Sequence, residues 1–260
     1  MPVENPRLRL RRAAREGNLH VLIQLSCKID IRNPDPENGW TTLMYAARHG
    51  HNRVVEYLIQ HGHEDIELSR DFDNNTILMI AAQYNHIEIM KIYITHFPYS
   101  LTMVNKKGMT ALIYACKFGH LDSIDFLLEC GSNINQTDAD GNTTLHYAAA
   151  WERYKAVAML IERGCQFAVK NNAGWTALDY SYSMELKAHL QECARSHHEE
   201  KKKNKKRNLK ITVDSLISID SVPLISSTRS ATFPPGKPSN ECENDEFLSS
   251  NTFSNNSLSP

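Results

Sequence analysis

Gly141 to Ala150 reads GNTTLHYAAA, a turn followed by a short helix. Its weight lies in its recurrence. The same frame stands as GWTTLMYAAR from Gly39, NNTILMIAAQ from Asn74, GMTALIYACK from Gly108 and GWTALDYSYS from Gly174. The starts are separated by 35, 34, 33 and 33 residues. A fixed period near 33 with a Gly-x-Thr-x-Leu-x-x-Ala-Ala core is the mark of a stacked helical repeat. The fold class that follows is an all-α repeat solenoid, built from helix-turn-helix units with hairpin loops.

Each unit obeys one logic. A Gly or Asn takes the turn conformation that a Cβ disfavours. Thr41, Thr76, Thr110, Thr143 and Thr176 stand where a hydroxyl caps the first helix. Leu43, Leu78, Leu112, Leu145 and Leu178 point into the stack, and the Ala pair lets neighbouring helices approach closely. A second helix brings Leu58-Ile59, Tyr93-Ile94, Leu127-Leu128 and Leu160-Ile161, and Gly62, Gly131 and Gly164 end it. Phe97-Pro98 stops the helix by another route. Two extra residues after Gly62 and one after Phe97 account for the 35 and 34 spacings, and are expected to form slightly longer loops that leave the stack undisturbed.

The frame matches ankyrin repeats, and the chain is identified as a member of that family. The expected repeat domain covers residues 5–197. A degenerate first unit (5–36) precedes repeats starting near 39, 74, 108 and 141, and a closing unit (174–197) follows. Terminal units have one face without a neighbour and need a polar exterior. Arg7, Arg9, Arg11 and Arg12 supply it at one end; a basic interaction patch is the sharper alternative there. At the other end Met184, Leu186, His189, Leu190 and Cys193 give one helical face to bury. From 198 to 260 a basic run and then a Ser/Thr-rich tail follow. Its last 50 residues hold 16 Ser or Thr and five Pro, too little apolar surface for a core, so the tail is expected to be disordered.

Composition narrows the function. A formal charge of −1 over 260 residues calls for neither nucleic acid nor a membrane as a specific partner. Six scattered cysteines form no CxxC pair, which fits reduced thiols in a cytosolic or nuclear protein and no metal site. MPVENPRLRLRR lacks the apolar run of a signal peptide. Of twelve histidines, His51, His86 and His120 recur at one place in the period, a structural hydrogen-bonding position, and His61 and His63 fall in a loop expected to be exposed. No phosphate loop, nucleophile elbow or HExxH motif occurs. The reading is therefore non-catalytic, without cofactor, and monomeric by itself.

Binding is expected where the repeat leaves positions free. Two residues after each Ala pair face the concave groove of an ankyrin stack: Arg48-His49, Gln83-Tyr84, Lys117-Phe118 and Ala150-Trp151. Tyr84, Phe118 and Trp151 put an aromatic at the second slot in three successive units, with Arg48, His49 and Lys117 beside them. Trp40, Met109 and Trp175 stand at the hairpin tips. Exposed aromatics in register make binding hot spots; packing of the rings on one another is the plainer alternative, above all for Tyr45, Tyr114 and Tyr147. Lys201, Lys202, Lys203, Lys205, Lys206 and Arg207 form a basic run. Three readings fit it: a nuclear localisation signal, weak attraction to anionic membrane, or a solubilising junction.

LRLRRAAREGNL, ENGWTTLMYAARHGH, VEYLIQHGHEDIEL and ITHFP, between Leu8 and Asn135, resemble the fungal ankyrin-repeat subunits of target-of-rapamycin complex two. That resemblance implies a non-catalytic accessory scaffold whose protein partners are subunits of a kinase complex, cytoplasmic and membrane-associated through it. A nuclear regulator of transcription, or of another enzyme, imported through residues 201–207 is the alternative.

Overall fold

The computed structural model describes residues 5–181 and 183–217. The chain divides into two compact units, Met1–Lys210 and Ile211–Pro260. The first carries six helical pairs: α1 (Pro6–Glu16) and α2 (Leu19–Ser26), α3 (Thr42–Arg48) and α4 (Asn52–Gln60), α5 (Ile77–Gln83) and α6 (Ile87–His96), α7 (Ala111–Phe118) and α8 (Leu121–Glu129), α9 (Thr144–Ala150) and α10 (Tyr154–Glu162), α11 (Ala177–Tyr180) and α12 (Met184–Ile217). A 3₁₀ turn, Pro98–Thr102, follows α6 where Pro98 prevents continuation. Of the second unit, the described residues are those that complete α12. The tail expected to be disordered falls, from residue 218, outside the described residues.

The caps form as the sequence requires. Thr41, Thr76 and Thr110 hydroxyls accept the backbone N–H three residues on. Thr143 and Thr176 go further and form reciprocal capping boxes with His146 and Asp179. Behind the caps, Leu43, Leu78, Leu112 and Leu145 are fully buried, and each Ala pair is buried against the next helix. Consecutive first helices pack along one row from α1 to α11, more extensively than the second helices do. Alanines hold that row close, and the first helices carry the face expected to be the groove.

Histidines and hairpins bind the units to one another. Nε2 of His51, His86 and His120 donates to the carbonyls of Arg15, Arg48 and Gln83 in the preceding unit, at 2.8, 2.9 and 2.9 Å. In the next joint Arg153 Nε takes that role on Lys117 O. These rings lie where a Cβ on Gly17 or Gly50 would stand, 2.5 and 2.7 Å from the nearest ring atoms, and both glycines have φ above +70°. Glycine is thus required twice over, by conformation and by approach. Among the hairpins, Phe72, Lys106, Ala139 and Asn172 N–H donate to carbonyls of the preceding hairpin.

The ends differ in part from expectation. Leu186 and Leu190 seal the last unit as expected, but Met184 is 80% exposed, because it sits in the first turn of α12 facing away from the stack. α12 also runs past the expected boundary at residue 197, through the basic run, to Ile217. Its Lys and Glu residues are good helix formers, and nothing between Met184 and Ile217 is a Gly or Pro.

Candidate binding face

The C-terminal ends of the first helices carry the candidate face. Thr caps and buried Leu fix each helix's rotation, so the residue pairs after Ala-Ala fall in register. Arg48 has its guanidinium carbon 5.4 Å from the ring centroids of both Trp40 and Tyr84. Lys117 Nζ lies 5.9 Å from the Phe118 ring and 5.2 Å from that of Trp151. Each cation thus bridges an aromatic of its own unit to one of the next, an attraction of about 0.5–1 kcal/mol at exposed sites. Tyr84 and Trp151 are exposed and Phe118 is half-buried. The rings of Tyr84 and Phe118 also stack beside His86 and His120, with centroids 6.4 and 6.1 Å apart. Exposed His49 is held below its ordinary value by partial desolvation first, then by the charges of Arg48, His51, Arg15 and His86.

The hairpin tips do not act alike. Trp175 is 54% exposed and Trp40 half-buried, whereas Met109, expected at an exposed tip, is buried. Its hairpin has neighbours on both sides, hydrogen-bonded at Lys106 to Asp73 O and from Ala139 to Lys107 O. Trp175 belongs to the last hairpin and has a neighbour on one side.

The tyrosine column is structural. Tyr45 donates to Asp35 at 2.7 Å and Tyr147 to Asp138 at 2.6 Å, while Tyr114 pairs with Asn75 and Asn105. Burial first, then the accepting Asp, pushes the Tyr45 and Tyr147 phenols up. Each hydroxyl pins a hairpin to the inner helix of its own or the adjacent unit. An Asp or Asn recurs with the period at 35, 71, 105, 138 and 171, and all but Asp71 hydrogen-bond a tyrosine of the column or its copy, Tyr180.

The insertion after Gly62 is not a plain exposed loop. His63 and Glu64 are buried, with His63 Nδ1–H donating to Glu64 at 2.8 Å. Ser69 donates to the same carboxylate from its N–H and its hydroxyl, and Tyr93 donates at 3.0 Å. Beside it, a cavity of about 540 Å³ opens where the two insertions meet, lined by Arg32, Glu67, Leu68, Arg70, Tyr99 and Met103 among others. No group of His, Cys, Asp or Glu suited to a metal ion occurs among the described residues.

The basic run lies on α12, with Lys202, Lys203 and Lys205 exposed; the side chains of Lys201, Lys206 and Arg207 lie outside the described ones. No described helix is long and apolar enough to cross a membrane.

A family model, "Ankyrin repeats (3 copies)", matches residues 10–98 and 78–171. The chain is 28% identical over 189 residues to "Target of rapamycin complex 2 subunit AVO2" of Saccharomyces cerevisiae, across 71% of this chain and 44% of that protein. It is 27% identical over 164 residues to "Palmitoyltransferase AKR1" of Lachancea kluyveri, across 62% of this chain and 22% of that one. Among solved structures, an ankyrin repeat domain from Acinetobacter baumannii superposes with a TM-score of 0.61 at 24% identity, covering 73% of this chain and 97% of that one. The chain spans less than half the length of either of these two curated relatives.

Proposed function

The chain belongs to the ankyrin-repeat family, a fold of protein–protein contact, and on that premise we propose that it is a non-catalytic accessory subunit of a target-of-rapamycin-type kinase complex. The observation that carries the binding part is the double bridge on the inner face, Trp40–Arg48–Tyr84 and Phe118–Lys117–Trp151. It presents large, fixed aromatic surfaces at little cost in side-chain entropy, as binding hot spots do. The similarity to the yeast complex subunit, spread over most of the solenoid, supports the choice of complex. Trp175 extends the contact at the last hairpin. Met109 takes no part, being buried.

The test is co-purification. The tagged full chain, expressed in its native cells, is expected to bring down target-of-rapamycin kinase. The variant with Tyr84, Phe118 and Trp151 all replaced by Ala is expected to lose it while keeping its helical circular dichroism. Absence of the kinase from the wild-type eluate refutes the accessory-subunit proposal. Retention by the triple variant refutes the groove.

A further inference from the structure

The inner face is not uniform along its length. Its first slot reads Arg15, Arg48, Gln83, Lys117, Ala150 from unit to unit, and its second reads Glu16, His49, Tyr84, Phe118, Trp151. Arg15 and Arg48 stand over the first two units, with Glu16 beside Arg15, and aromatic surface stands over the last three, with Lys117 among it. At the far end Glu152 is exposed, in the position that Gly50 and Gly119 hold in other units. The groove therefore has a basic end and an apolar end edged by a carboxylate.

Arg48 and Lys117 are held against aromatic rings but are not ion-paired. Among the described residues, Arg15, Arg48 and Lys117 have no carboxylate within ion-pair distance. Asp35, which lines a recess with Arg15, is already engaged by Arg11 at 2.9 Å and Tyr45 at 2.7 Å. Contact with aromatic faces fixes the Arg48 guanidinium without neutralising it. A cation held this way loses little further freedom on meeting an anion. A recess of about 190 Å³ lined by Leu8, Arg11, Arg12, Arg15, Asp35 and Tyr45 lies at this same end, large enough for a side-chain carboxylate and its neighbours.

Resting on the groove reading above, we infer that its occupant is an extended segment of a partner protein, acidic at the end set over Arg15 and Arg48 and apolar or aromatic at the end set over Tyr84, Phe118 and Trp151. Four helix-to-helix steps of about 8–10 Å separate the first unit from the fifth. An extended chain of about 10–12 residues covers that span. Glu152 stands without the arginines that outnumber Glu16 at the near end, which disfavours the reversed placement.

A random dodecapeptide library panned on the full chain tests this. Enriched sequences are expected to carry Asp or Glu toward one end and apolar residues toward the other. Binding of a representative peptide should fall roughly tenfold or more in Arg15→Glu/Arg48→Glu. It should survive in Arg15→Lys/Arg48→Lys, and return to the Glu variant when the peptide's acids are replaced by lysine. Both variants change exposed side chains, and an unaltered thermal melt checks their fold. Groove-dependent binders that show no acidic bias, or that ignore the charge reversal, overturn the acidic assignment and leave the groove standing. Binders that all survive the Tyr84, Phe118, Trp151 triple alanine, or a failure to enrich any sequence, overturn the groove itself and this inference with it.

Discussion

His63 donates its Nδ1–H to Glu64 across 2.8 Å at the start of the loop that carries the surplus residues. Both side chains are out of reach of water. Burial alone would raise the carboxyl of Glu64; hydrogen bonds from His63 and Ser69, with the charge of His63, outweigh it and hold it below its ordinary 4.5. The folded chain thus takes up this proton at lower pH than the unfolded chain. The stabilisation is complete above about 4.5 and is lost as pH falls through the lower folded value. Glu64→Ala strands His63, Ser69 and Tyr93 without their acceptor. It should cost about 3–5 kcal/mol in urea denaturation near neutral pH, and less as the solution is acidified. A cost below 1 kcal/mol would show that the cluster carries no stability.

Gly50 and His86 form a pair whose members should not be mutated independently. Gly50→Ala places a methyl 2.7 Å from the His86 ring on a backbone at φ +76°. It is expected to destabilise by about 1–3 kcal/mol. His86→Ala alone loses one inter-unit hydrogen bond, worth about 1 kcal/mol. The double variant should be more stable than the sum of the two implies, since removing the ring removes the clash. Chemical denaturation of all four proteins measures the coupling, and strict additivity contradicts the geometry.

Lys117 and Trp151 offer the cleanest measure of the bridges. A double-mutant cycle with Lys117→Ala and Trp151→Ala should return a favourable coupling of about 0.5–1 kcal/mol. Because the contact is exposed and electrostatic, the coupling should shrink as salt is added. A zero value at low salt would mean that the side chains do not hold one another in solution.

Deletion of residues 201–207 from a fluorescent fusion discriminates among the readings of the basic run. If the proposed complex recruits the chain through its repeats, cortical signal persists in the deletion variant. Signal lost from the nucleus would support import, and signal lost from the cell edge while the kinase still co-purifies would support attraction to anionic lipid.

Much of this was legible beforehand because it repeats. Thr caps, inward Leu, paired Ala and the His column each recur every 33 residues or so, and each performs in the structure the task its spacing suggested. What escaped has no copy to compare with. The side-chain cluster of His63, Glu64 and Ser69 has no copy in other units, so its polar composition pointed outward while its hydrogen bonds turn it inward. Met109 failed for the opposite reason. It shares a position with Trp40 and Trp175, yet exposure there depends on how many hairpins flank it, a property of place in the stack. The Arg48 and Lys117 bridges lay between: the residues stood out, but contact between a cation and rings from two units is a fact of three dimensions.

The chain of hairpin bonds, from Phe72 to Asn38, Lys106 to Asp73, Ala139 to Lys107 and Asn172 to Asp140, has a mechanical consequence. Tension applied along the stack loads these links in series, so every joint feels the full force. The solenoid yields as a spring does, with small extensions at many places. A partner seated along several units would act as a splint across that spring, stiffening it against the pull of whatever the assembly connects.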